Sequence, residues 1–258
     1  MSAHAFIEMR DLTHVYVSKA EANEAISHID LSIAQGEFLS LVGPSGCGKT
    51  TILSCLAGII RPTQGMIRIN GETLRGPSSK VGYMLQSDYL FEWKSIIENV
   101  CIGLEIMGKR TKENENYAQF LLHEMGLSRY KNHYPSQLSG GMRQRAALVR
   151  TLVTNPDILL LDEPFSALDY QTKLRLEDLV FDTLKKHEKT AILVTHDIGE
   201  AIAMSDRIII LKRNPGQIKK EVVIAEELRR KLPFQAREAE GFHELFRQMW
   251  KELEEDED

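Results

Sequence analysis

The chain has 258 residues, 43% of them hydrophobic and 27% charged, with 17 Gly and 8 Pro scattered along it; this is globular composition and excludes disorder, collagen and low-complexity sequence. Six of the last seven residues are acidic (Glu252, Glu254, Glu255, Asp256, Glu257, Asp258), so that the net charge of −5 belongs to the C-terminus and the rest carries +1, giving no electrostatic case for nucleic-acid binding. The longest apolar runs, 158–161 and 208–211, fall far short of the roughly 20 residues that cross a bilayer, and the start MSAHAFIEMRDL does not read as a secretory signal, so a cytoplasmic chain is expected.

Residues 6–42 are strand-like: Leu31 and Ile33 alternate with polar neighbours, Gln35-Gly36 marks a turn, and an apolar run fills 38–42. Asn70-Gly71 after the short strand 66–69 predicts a hairpin, because both residues tolerate the positive φ of a type I′ turn. From 95 to 154 the spacing turns helical, with Ile96, Ile97, Val100 and Leu104, then Phe120, Leu121 and Met125, then Ala147, Leu148, Thr151 and Leu152. Apolar strands at 158–161, 191–194 and 208–211 then alternate with helical stretches such as 172–186, which predicts a parallel sheet with crossover helices. Near the end, Phe242, Leu245, Phe246, Met249, Trp250 and Leu253 share one helix face, expected to pack on the chain's own body, and the acidic residues beyond read as a solvated, frayed terminus. The three cysteines, Cys47, Cys55 and Cys101, form no CxxC pair and fit a reducing compartment rather than a disulfide or zinc framework.

Residues 43–50 read GPSGCGKT, between an apolar strand and the helical pattern Ile52, Leu53, Leu56, which is the context a P-loop requires. Gly43, Gly46 and Gly48 permit backbone angles that turn consecutive N–H groups toward phosphate oxygens at a helix N-terminus. Lys49 adds a full charge near the β/γ phosphates, and Thr50 offers a hydroxyl to Mg²⁺. Such a loop works through its backbone, so Cys47 is expected to fill space rather than act in redox chemistry.

Residues 158–163 read ILLLDE, an apolar strand ending in two carboxylates at the edge where open α/β sheets bind ligands. Asp162 is placed to hold Mg²⁺, through water, and Glu163 to polarise an attacking water.

Residues 138–145, LSGGMRQR, separate this chain from other P-loop proteins. They resemble the signature of the ATP-binding cassette family, LSGGQ, with Met142 in place of Gln. On its own physics the motif is a second anion-binding helix start, formed by Ser139, Gly140 and Gly141. The resemblance also makes Tyr16 the aromatic that stacks on adenine, Gln86 the Q-loop glutamine, 166–169 the D-loop and His196 the switch histidine. It implies a P-loop NTPase (RecA-like) α/β core with an antiparallel β subdomain and a helical insert carrying the signature. The nucleotide-binding set it implies is Tyr16, Gly43, Pro44, Ser45, Gly46, Cys47, Gly48, Lys49, Thr50, Thr51, Gln86, Ser139, Gly140, Gly141 and Asp162. Glu163, His196 and Lys49 are the expected catalytic residues, with Thr50, Gln86 and Asp162 at the Mg²⁺.

The resemblance implies one cassette over 1–258: a nucleotide-binding core from 1–86 and 157–225, a helical subdomain at 87–156, and a helical tail at 226–258. It implies an ATPase that pairs head to tail with a second copy, Ser139 of one closing over the γ-phosphate held by Lys49 of the other. The GGMRQR and LFEW runs are similar to importer ATPases of the nitrate, sulfonate and taurine type, which implies a separate membrane permease and, indirectly, a solute-binding protein. Leu90, Phe91 and Trp93 are candidates to dock that permease, the alternative being that they belong to the helical insert's core. A non-transport single cassette, for example in cofactor assembly, is the rival reading; a P-loop kinase leaves the signature and Glu163 unexplained.

Overall fold

The computed structural model describes residues 5–18 and 21–254; the frayed end expected at Glu255, Asp256, Glu257 and Asp258 lies outside the described residues. In chain order the elements are β1 (Ile7–Val17), β2 (Ala22–Ile33), β3 (Phe38–Val42), α1 (Lys49–Leu56), β4 (Gln64–Ile69), β5 (Glu72–Thr73), β6 (Val81–Met84), α2 (Ile96–Ile106), α3 (Lys112–Glu124), α4 (Gly140–Leu152), β7 (Ile158–Asp162), α5 (Tyr170–Lys186), β8 (Thr190–Val194), α6 (Ile198–Met204), β9 (Arg207–Lys212), β10 (Gln217–Val223), α7 (Glu226–Arg229), α8 (Pro233–Arg237) and α9 (Phe242–Glu254). The chain forms two units, one running to Ser78 and resuming at Glu177, the other spanning Ser79–Leu176.

In the first unit β2, β1, β4 and β5 form an antiparallel sheet in that order. Ile29, Leu31 and Ile33 of β2 are buried between exposed neighbours, the period of two that one covered face imposes. β4 and β5 join through Asn70 (φ 50°) and Gly71 (φ 78°), the predicted type I′ turn. A second sheet has β3 parallel to both β8 and β9, with β10 antiparallel on β9. Every residue of β3 and β8 is buried, which is why both read as unbroken apolar runs. α6 packs on β3, and α7, α8 and α9 pack on α6. The apolar face of α9 buries Phe242 and Met249 in this cluster, with Phe246 and Leu253 partly covered, as the sequence pattern predicts; Trp250 departs from it, 48% exposed.

In the second unit β6 and β7 run parallel, α4 packs on β6, and α2 and α3 pack on α4. The 87–156 insert drawn from the sequence lies within this unit, which also holds the paired strands β6 and β7. Its helices start on side-chain caps. Ser95 and Glu98 form a capping box on α2, Thr111 caps α3, and Ser139 caps α4, each an interaction worth about 1 kcal/mol.

Candidate active site

In the first unit β3 delivers the chain into the loop at Gly43, and α1 begins at Gly48 in the left-handed region (φ 88°) with no side-chain cap. That uncapped start leaves the first N–H groups of α1 to the loop and what it binds. The glycines are required by space as well as by angle. A Cβ on Gly43 would stand 2.5 Å from the Leu211 carbonyl oxygen, and one on Gly48 2.3 Å from Ile26 Cγ2 and 2.8 Å from the Ala25 carbonyl oxygen. Lys49 is buried across the loop, its Nζ donating to the carbonyls of Gly43 (2.7 Å) and Pro44 (3.0 Å). Ser45, Gly46 and Thr50 are exposed.

Cys47 is fully buried with its Sγ 3.6 Å from Lys49 Nζ. Burial pushes its thiol up more strongly than the neighbouring ammonium draws it down, so it stays protonated, as space filling demands. The Tyr16 ring is half exposed, meets His14 edge-on at 4.6 Å, and places its hydroxyl 3.4 Å from Thr51 Oγ1. The expected aromatic is therefore beside the end of the loop with an accessible face.

His196 follows β8 and is exposed. With Thr195 it lines a cavity of about 320 Å³ that it shares with Val42, Gly43, Pro44 and Ser45, so His196 and the start of the glycine loop open into one space. Ile198, Trp250, Leu253 and Glu254 complete the lining. Sequence reading recognised the apolar stripe of α9 but not its destination, because periodicity reports that a face is covered and not what it lies beside.

In the second unit Asp162 ends the buried strand β7 at 2% exposure, and Glu163 follows with φ 50°, a left-handed conformation for a residue that has a Cβ. Gln86, after β6, donates from Nε2 to Glu163 Oε2 at 2.9 Å, so the expected Q-loop glutamine and the expected catalytic carboxylate are in direct contact. Ser139 accepts from the Met142 N–H at 3.3 Å; Ser139 and Gly140 are exposed, and Met142 leaves the helix start intact.

The segment after Gln86 is held by residues the sequence reading passed over. Asn99, fully buried, accepts from the Phe91 N–H and donates to the carbonyls of Phe91, Lys94 and Ser95. Arg150 donates to the carbonyls of Asp88 and Tyr89, and Arg143 pairs with the Asp88 carboxylate at 2.9 Å. On this frame Phe91 and Trp93 are exposed with ring centroids 5.3 Å apart. Leu90 is 7% exposed, which removes it from the expected docking surface: its side chain serves the core.

The model of the ABC transporter family matches residues 26–166, a span holding the P-loop, Gln86, the LSGG run, Asp162 and Glu163. The chain belongs to that family. It is 53% identical over 249 residues, 96% of both chains, to the uncharacterized ABC transporter ATP-binding protein YtlC of Bacillus subtilis. It is 42% identical to the taurine import ATP-binding protein TauB of Jannaschia sp., over 77% of this chain and 74% of that one. Other relatives are named for nitrate and aliphatic sulfonate import. Among solved structures, the dimeric post-hydrolysis state of the cassette MJ0796 bound to ADP and Pi aligns with a TM-score of 0.78 and 32% identity, covering 85% of this chain and 99% of that one. This ABC cassette is thus an ATP-binding protein with the P-loop α/β fold. No described helix is long and apolar enough to cross a membrane.

Proposed function

We propose that this ABC ATPase is the energising subunit of an importer for a small anion of the nitrate, sulfonate or taurine class, paired head to tail with a second copy beneath a separate permease. The observation that carries the reading is the exposed, Ser139-capped start of α4, a second phosphate-type receptor in a chain that already has a P-loop. A receptor open to solvent suits a nucleotide held by another copy, and the dimeric MJ0796 cassette supports such pairing by analogy.

In this reading the P-loop backbone cradles the phosphates, Lys49 neutralises charge as the γ-phosphoryl leaves, and Tyr16 faces adenine. Glu163 polarises the attacking water, and His196 orients the γ-phosphate. As the family resemblance implies, Mg²⁺ would arrive with the nucleotide and would take the hard oxygens of Thr50, Gln86 and Asp162. That ion supplies further charge neutralisation at the phosphates. Phe91 and Trp93 offer the aromatic surface for the permease, which would seat the chain on the inner face of the membrane, and a solute-binding protein acts through that permease.

Glu163→Gln is expected to retain MgATP, trap the dimer and lower hydrolysis by about 100-fold or more. Size-exclusion chromatography with light scattering, run beside a phosphate-release assay, reads all three. A variant that stays monomeric in MgATP removes the head-to-tail pairing, and one that hydrolyses at the wild-type rate removes Glu163 from its role. Copurification of the chain with an integral permease separates the importer from a non-transport cassette.

A further inference from the structure

Gln144 lies in the second turn of α4, five residues after Ser139, and is 4% exposed. Its side chain does not point to solvent or to a neighbouring helix turn. Nε2 donates to the Glu163 carbonyl at 3.1 Å, and Oε1 accepts from the Ala167 N–H at 3.1 Å, so one amide spans the turn that begins with the expected catalytic carboxylate. Donor and acceptor are both used, which fixes the orientation of the amide. The Glu163 carbonyl also accepts from the Ser166 hydroxyl at 3.0 Å and from the Ser166 N–H at 3.3 Å. A cross-brace is needed here. Glu163 has φ 50°, a conformation that costs a residue with a Cβ about 1–2 kcal/mol and persists only where its surroundings over-determine it.

We propose that Gln144 is a positioning residue for ATP hydrolysis: its amide braces the 163–167 turn from α4 and thereby holds the Glu163 backbone in the left-handed conformation that aims the carboxylate. The inference rests on Glu163 being the polarising carboxylate. Gln86 then acts on that carboxylate from its side-chain end and Gln144 from its backbone end. Gln144 itself touches neither water nor nucleotide. It acts through geometry, to which hydrolysis is sensitive: a displacement of about 1 Å can cost about 100-fold in rate. The same brace ties the helix that begins with Ser139 and Gly140 to the hydrolytic turn, so the two parts of this unit keep a fixed spacing.

Gln144→Met tests the proposal, since it keeps side-chain length and helix propensity and removes both hydrogen bonds. Steady-state hydrolysis should lose about 10- to 100-fold in kcat. The MgATP Kd, measured by calorimetry, should stay within about twofold, because Gln144 is not one of the nucleotide-binding residues and its removal alters positioning, not binding. Added to Glu163→Gln, the substitution should leave the MgATP concentration needed for dimerisation unchanged, an outcome that a merely structural role in building α4 would not give. A kcat for Gln144→Met within about twofold of wild type overturns the brace. So does failure of the double variant to dimerise where Glu163→Gln alone does, which would make Gln144 a support of the signature helix. Wild-type hydrolysis by Glu163→Gln alone would instead remove the reading of Glu163 on which the inference rests.

Discussion

Single residues in this cassette are constrained by what their neighbours leave open. Gly48 must turn through the left-handed region while Ile26 and the Ala25 carbonyl press on the place where a Cβ would be. Gly48→Ala should therefore cost about 1–2 kcal/mol of stability from the backbone angle alone, read from the urea midpoint. It should also weaken MgATP binding by calorimetry, since the loop must move to admit the methyl. Cys55 carries a different constraint. Burial in the last turn of α1 pushes its thiol up to about 11, so the folded chain keeps the proton where an unfolded one releases it from about pH 9 upward. The folded-state pKa is raised; the stability it represents is complete below about pH 9 and is lost as pH rises toward 11, a change of about 2–3 kcal/mol. Cys55→Ala should flatten that part of the pH profile in denaturant titrations, and an unaltered slope would show that other groups produce it. The glycine loop and the ILLLDE carboxylates were legible in sequence because their chemistry depends on residue type at fixed spacing. Gln144, Asn99 and Arg150 were not, since each acts on backbone groups between 4 and 62 residues away, which the apolar periods do not encode.

At the level of elements, local signals and tertiary ones divide in the same way. The Asn70-Gly71 hairpin, the unbroken apolar runs of β3, β7 and β8, and the stripe of α9 are each local patterns, and each forms where its pattern lies. The joining of β6 to β7 is a parallel pairing across an interval of more than seventy residues, which no local pattern announces. The attachment of α8 to α5 is likewise tertiary. It includes the Phe234 N–H donating to the Asp178 carboxylate at 2.9 Å and Arg237, 16% exposed, whose Nη1 stands 2.7 Å from Oε2 of the fully buried Glu177. Removing one member of a buried ion pair costs about 3–5 kcal/mol, whereas replacing both by apolar groups of similar volume is often neutral. Arg237→Ala is expected to fall in that range in urea unfolding, and Arg237→Met with Glu177→Met to recover most of it. A double variant no more stable than Arg237→Ala would mean that the pair supplies net stability instead of answering a burial cost.

On the scale of the whole molecule, the chain's last described helix returns to the glycine loop after β3. α9 is fastened to the first unit along its length: Phe242 and Met249 enter the cluster around α6, Lys219 donates to the Glu252 carbonyl at 2.5 Å, and Lys220 pairs with the Glu252 carboxylate. The end of the helix is thereby set beside Pro44, Ser45 and His196, where Trp250 and Leu253 line the same cavity. A half-exposed indole in that position senses the polarity of the cavity, and the chain has only two tryptophans, Trp93 and Trp250. With Trp93→Phe, all indole emission comes from Trp250. Titration of MgATP should then change its intensity and wavelength along the same saturation curve that calorimetry gives, because negative phosphate oxygens replace water in the shared space. The triple arrangement of P-loop, His196 and α9 makes the control specific: in Trp93→Phe with Lys49→Ala the response should move to higher nucleotide concentration together with the Kd. Emission that stays constant while calorimetry records binding would mean that the nucleotide's phosphates do not reach the cavity that Trp250 helps to enclose, and the shared wall would then have no part in nucleotide recognition.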